Sequence, residues 1–214
     1  MSSRDEILQR VRAGVGRGAA IDRRAAAEAW IAGRARGPLP VLGSDLVGRF
    51  MAKAESLSSS VERIADRPEL PAAVARFLTA GKFGTAAVIA PELADLDWAA
   101  SGLAVAARPA LDGDTVGITA CFCALAETGT LLLLSGPQTP ATVSLLPETH
   151  IALVDARRIV GTMEEAFALL RSEHGRLPRA LNFISGPSRT GDIEQTIVLG
   201  AHGPRRVHLL IVGS

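Results

Sequence analysis

Apolar residues fall into two rhythms along this chain. Over residues 3 to about 50, Ile7, Leu8, Val11 and Val15 recur at helical spacing, and AAAEAWIAGRAR continues in that manner until Gly37-Pro38-Leu39-Pro40 interrupts it. A third helix is predicted over residues 45–57, a strand at SSSVERI, and a helix opened by proline over residues 68–80. Beyond this the texture changes. TAAVIA and GLAVAA are short apolar runs separated by a stretch containing PELADLDW, the rhythm of strands alternating with helices or loops around a buried sheet. TVGITACFCALAETGTLLLLS reads as a strand, a turn at Glu127-Thr128-Gly129 and a second strand. HIALVDA, ALNFIS and VHLLIVG are further strands. TMEEAFALLRSEH is a helix capped by Thr162 with Glu165 three residues on, and DIEQTIVLGAHG is also expected to be a helix. The pattern predicts an α/β domain over residues 58–214, preceded by an N-terminal helical arm over residues 1–57 that packs on the core or extends from it.

Composition narrows the class. A chain of 214 residues, 48% hydrophobic with net charge +1, is long enough for one sizeable soluble domain. The N-terminus is charged from Arg4 and lacks the apolar core of a secretory signal, and no later apolar run is long enough to span a bilayer, so a cytoplasmic location is expected. Scattered arginines interleaved with carboxylates, and the absence of tyrosine, argue against nucleic-acid binding. Cys121 and Cys123 are the only cysteines. In a strand they point to opposite faces, which disfavours a bridge or a four-thiolate metal site and suits core cysteines. Lys53 and Lys82 are the only lysines, which disfavours Schiff-base chemistry.

The stretch SGPSRTGDIEQT is the first candidate for chemistry. It follows the strand ALNFIS and precedes the helix expected from Asp192, the position where open α/β sheets collect ligands beyond the carboxyl ends of their strands. Gly186 and Gly191 allow close backbone approach, while Ser188, Thr190 and the amides of a helix start could donate to an anion, with Arg189 as a planar clamp. An ordinary turn at Gly186-Pro187 with Ser188, Thr190 or Asp192 capping the helix is the competing reading, and the residues leave both open. Neither the Walker A nor the Rossmann glycine spacing is present. Glu127 could serve as a general base, as a ligand acceptor, or as an acceptor for the amides of its own turn. His150 opens a strand and His202 stands in GAHGP after the expected helix. Either could face an anionic ligand or be an ordinary core, surface or helix-end group. No close ligand spacing links these histidines with Asp192, so no metal site is predicted. His174 and His208 read as structural or solvated.

Four ordered blocks carry a family resemblance: AETGTLLLLS, SLLPETHIALV, ISGPSRTGDIEQTIVLGAHGP and the closing VHLLIVG. From about residue 80 to the end the chain resembles the LUD domain family, in particular its lactate utilization protein C branch. The resemblance implies a NagB/RpiA/CoA-transferase-like α/β fold, a layered sheet flanked by helices. It also implies a place in a three-component system that oxidises L-lactate to pyruvate, with iron–sulfur clusters in a partner subunit. The CxC pair cannot supply cluster ligands, so this chain resembles the cluster-free component, with no cofactor of its own. The leading expectation is an accessory or ligand-binding subunit that holds a small anionic metabolite among Glu127, Gly186, Ser188, Arg189, Thr190 and Asp192, with His150 and His202 as further candidates. The alternative is a stand-alone transferase, isomerase or ligase acting on a phosphorylated or CoA-activated small molecule, with Glu127 as base or nucleophile, as in distantly similar CoA transferases. A third is a metabolite sensor whose arm docks a partner. The apolar faces around Trp30 and Ile31 could pack on their own core or form a homo-oligomer.

Overall fold

The computed structural model describes residues 3–15, 20–193 and 196–213. It divides into two compact units, Met1–Leu39 and Pro40–Ser214. The first holds α1 (Ser3–Val15) and α2 (Ala20–Gly33). Asp5 and Glu6 in the first turn of α1 and Arg12 in its last complement the helix dipole. Trp30 stays 73% exposed and Ile31 67%.

The second unit begins its regular structure with α3 (Leu46–Ser56), whose N-cap Asp45 accepts from the Gly48 N–H at 2.8 Å. The expected helical arm over residues 1–57 is therefore split. Phe50 and Ala54 of α3 are wholly buried in the α/β core, so the break falls after Leu39. Six strands form a parallel sheet: β1 (Ser60–Ile64), β2 (Ala86–Ile89), β3 (Ala104–Ala107), β4 (Val116–Ala120), β7 (Thr149–Asp155) and β12 (Arg206–Val212). Their order is β1-β12-β7-β4-β2-β3. Every residue of β7 before Asp155 is buried, which is why its sequence runs apolar without alternation: both faces are covered. Ile151 and Leu153 point into one core with Val74 and Leu78 of α4 (Leu70–Gly81), while Ala152 and Val154 point into the other with Phe50 and Leu131.

That second face is covered by a smaller sheet of β5 (Cys123–Leu125), β6 (Thr130–Leu134), β8 (Ile159–Val160) and β9 (Leu181–Ile184), in the order β8-β5-β6-β9. The single strand expected before the AETGT turn is in fact two, β4 and β5, in different sheets. The Cys121 N–H still donates to Leu153 of the large sheet, at 3.0 Å, whereas the Phe122 N–H donates to Leu132 of the small one, at 2.8 Å. The short α5 (Thr142–Leu145) packs so closely on β4 that a Cβ on Gly117 would lie 1.9 Å from the Val143 carbonyl oxygen.

Helix α6 (Met163–Glu173) has the expected cap: Thr162 Oγ1 accepts from the Glu165 N–H, and Glu165 Oε2 accepts from the Gly161 N–H at 2.7 Å. The helix expected from DIEQTIVLGAHG does not form. Arg189–Ile193 (β10) and Thr196–Leu199 (β11) pair as an antiparallel hairpin. The β-branched run Thr196-Ile197-Val198 favours extended backbone over a helix. Among the described residues no helix is long and apolar enough to cross a membrane.

Candidate functional site

Two of the resembling blocks meet in space. The β5–β6 turn places Glu127 half-buried with its N–H on the Gly161 carbonyl at 3.0 Å, and seats Gly129 against the backbone of Lys53 and Ala54 in α3. Thr128 Oγ1 donates to Thr130 Oγ1 at 2.8 Å, and Thr130 shares a 2.7 Å hydrogen bond with Ser185, so a run of hydroxyls ties this turn to the segment leaving β9. Gly186 adopts φ +83° against Leu57. Arg189 is exposed and donates through Nη2 to Ser58 Oγ. The Ser188 N–H donates to Pro204 O at 2.8 Å, and its carbonyl accepts from the Gly200 N–H at 3.0 Å, which locks the GPSRT segment to the GAHGP loop that carries exposed His202.

This cluster lies at the amino-terminal edge of the parallel sheet, beside the starts of β1 and β12, and not beyond the carboxyl ends as expected. ALNFIS is responsible. It forms β9 of the small sheet, antiparallel to β6, so its carboxyl end runs back toward Leu57 and Ser58. With a hairpin after the loop, there is also no helix terminus to present amides to an anion. The side chains of Thr190 and Asp192 lie outside the described residues.

His150 is set apart from the cluster. It is wholly buried in β7, with Nε2 2.9 Å from Thr119 Oγ1 and no partner for Nδ1, and burial depresses its pKa to about 4. His208 is also buried: it stacks on Phe77 at 3.9 Å between ring centroids and bonds Ser60 Oγ at 2.8 Å.

The carboxyl edge of the sheet holds open space. Two cavities of about 580 and 400 Å³ adjoin there, sharing Ala120 and Cys121 at the end of β4. The larger reaches Arg67, Asp155, Arg157 and Arg158, and the smaller is lined by Glu92, Ser135, His174 and Arg176, among others. Most of these cations are committed: Arg67 to Asp95 through bonds of 2.6 and 2.9 Å, Arg157 to Asp155 at 2.7 Å, and Arg158 to Glu173 at 2.9 Å. Arg158 also lies over the Phe122 ring, 4.6 Å from its centroid. Burial pushes the Cys121 thiol far above its usual range despite nearby Arg158, and raises Cys123 to about 11, so both stay protonated thiols. Among the described residues no three His, Cys, Asp or Glu side chains gather as metal ligands. Sequence reasoning passed over Glu92. Its signal was an acidic residue just after Pro91, at the end of an apolar strand, where the carboxyl edge of a parallel sheet must fall.

Taken together, the parallel sheet, its two covered faces and its open carboxyl edge define a layered α/β protein with ligand-sized space at the sheet end. The LUD domain model matches residues 47–212, and the chain belongs to that family. Lactate utilization protein C of Geobacillus sp. (strain WCH70) is 44% identical over 100 residues, 45% of this chain and 42% of the relative. Lactate utilization protein C of Bacillus subtilis (strain 168) is 39% identical over 102 residues, 46% of this chain and 42% of the relative. An uncharacterized protein of Neisseria meningitidis serogroup B is 38% identical over 96 residues, 45% of this chain and 41% of the relative. The matched stretch thus spans less than half the length of these curated relatives. A crystal structure of a DUF162 family protein from Deinococcus radiodurans superposes with TM-score 0.59 at 25% identity, covering 81% of this chain and 100% of that one.

Proposed function

We propose that this protein is a cytoplasmic component of a lactate utilization system, one that binds a small anionic metabolite and carries no redox centre. Oxidation of L-lactate to pyruvate then runs on iron–sulfur clusters held by a partner subunit. The names of the relatives support the pathway. The observation that supports a site is the convergence of the AETGT turn with the GPSRT segment and the GAHGP loop, more than fifty residues further on, hydrogen-bonded into one surface. In this reading Ser188 and Arg189, with Gly186 shaping the backbone and Thr190, Asp192 and His202 on the same two segments, face the metabolite or the partner, and Glu127 borders them.

The test is to recover the complex through a tag on this chain from lactate-grown cells and measure lactate-dependent reduction of an electron acceptor, with the isolated protein alongside. Co-purification of an iron–sulfur subunit, with activity only in the complex, is expected. Arg189→Ala should lower that activity while costing under about 0.5 kcal/mol of stability, because its side chain is exposed. Turnover by the isolated chain on a CoA ester or phosphorylated acid, lost in Glu127→Gln, would replace this reading with the transferase one.

A further inference from the structure

The smaller cavity at the carboxyl edge is lined by two uncommitted groups of opposite character, a buried carboxylate oxygen and an exposed guanidinium. Glu92 follows β2 in a single 3-10 turn, Pro91–Leu93, and its backbone N–H is clasped to Gln138 O at 3.3 Å in the loop that closes one side of the cavity. Its Oε1 is buried and has no hydrogen-bond partner among the described residues. The nearest cation does not serve it: Arg67 spends two bonds on Asp95 and one, of 2.9 Å, on the Glu92 backbone carbonyl. Arg176, which lines the same cavity, forms no ion pair or hydrogen bond with any described residue. Ser135, also in the lining, accepts through Oγ from the Ala180 N–H at 2.8 Å, which leaves its own proton to be donated.

A buried carboxylate oxygen without a donor is a cost to the fold that a bound donor group would remove. Burial also holds the Glu92 carboxyl above the usual carboxylate range, against smaller opposing effects of the Ala120 backbone amide and Arg67. An unpaired guanidinium asks for the complementary partner, a carboxylate taken through its two-pronged face.

We propose that this cavity is a binding site for a small carboxylic acid bearing a hydroxyl or amino group, its carboxylate on Arg176 and its donor on Glu92. The volume of about 400 Å³ lies within the usual range of metabolite pockets and exceeds what a three-carbon acid fills. The space therefore suits an acid of four carbons or more, and an elongated one can extend over Cys121 into the neighbouring cavity. This site is independent of the amino-edge cluster: no residue is shared between them.

The experiment is calorimetric titration of the full chain with L-malate, L-aspartate and succinate, which share two carboxylates and differ in hydroxyl, ammonium or neither. Malate or aspartate should bind at least about tenfold more tightly than succinate, and which of the two wins tells hydroxy acid from amino acid. Glu92→Gln should reduce that preference about tenfold, and Arg176→Met should weaken all three acids, both with unchanged thermal melting or, for Glu92→Gln, a higher midpoint. Binding abolished by Arg189→Ala and intact in both cavity variants would place the acid on the surface proposed above and overturn this site. Failure of all three acids to bind, equal binding of succinate, or wild-type affinity in both cavity variants overturns the proposal.

Discussion

Gly186 offers a sharp test of what the GPSRT segment is for. Its φ of +83° lies in the left-handed region, and a Cβ there would sit 2.5 Å from the Leu57 carbonyl oxygen, a backbone atom that cannot rotate aside. The conformation costs an ordinary L-residue about 1–2 kcal/mol. The overlap adds about 1–3 kcal/mol, typical of an extra methyl forced into packed structure. Gly186→Ala should therefore destabilise by roughly 2–5 kcal/mol and lower the melting midpoint by roughly 4–20 °C for a unit of this size. Urea unfolding followed by tryptophan fluorescence can read this: Trp98 is 4% exposed, whereas Trp30 is already 73% exposed and changes little on unfolding. Gly203 is the internal control. It lies in the same cluster, but its added Cβ meets only the Ser188 side chain at 3.4 Å and its φ is not positive, so Gly203→Ala should stay within about 0.5 kcal/mol. A Gly186→Ala protein as stable as the wild type would refute the packing argument. If metabolite binding alone were lost, close approach of a ligand to the backbone would be the reason for the glycine.

Three other outcomes are expected. Thr162→Ala should cost about 1 kcal/mol in urea unfolding, because it removes the acceptor for the Glu165 N–H at the start of α6; no change would mean that the Glu165–Gly161 bond suffices. Gly117→Ala, with its Cβ 1.9 Å from Val143 O, should cost on the order of 3 kcal/mol or more and leave little soluble protein. His150 and His208 protonate only near pH 4 when folded, against an ordinary value of 6.5, so the unfolded chain binds more protons in between. Their stabilisation is complete above about pH 6.5 and falls as the pH drops toward 4, by up to on the order of 3 kcal/mol per ring. Urea midpoints that hold steady from about pH 7 to about pH 4.5 would contradict this.

The large sheet was legible because its strands announce themselves: HIALVDA and VHLLIVG are apolar throughout, as strands buried on both faces must be. The cap of α6 was legible because Thr162 acts on Glu165, three positions away, whereas Asp45, read as the first residue of its helix, turns out to cap it. What escaped was decided by partners distant in sequence. Nothing local in TVGITACFCALAE says that the chain leaves one sheet for another at Cys121, since the donors on either side of that step are answered by Leu153 and Leu132. The DIEQT segment carries a polar start that suits a helix and a β-branched continuation that suits a strand, and the hairpin that pairs Ile193 with Thr196, and Thr190 and Arg189 with Val198 and Leu199, decided it. The site was half visible. The AETGT and GPSRT segments do meet, but the direction of β9 puts them at the opposite end of the sheet from the one that local reasoning assigned, and His150 lies apart in β7. The cavity at the other end is assembled from Glu92, Cys121, Ser135 and Arg176, single residues on separate segments with no motif between them.

The place of β12 in the sheet also governs how the molecule can be made. It is the last strand in the sequence, yet it lies between β1 and β7, and the bonded pair Ser60 and His208 stands 148 residues apart. Chain closure over that span is slow, and it cannot begin during synthesis until residues 206–212 have emerged. Until then β1 and β7 each present an unpaired edge to other nascent chains, and that of β7 is apolar. The interval between making β7 and making β12 is thus the time in which this protein most needs protection from its own copies, and shortening the chain from Arg206 onward would make that exposure permanent.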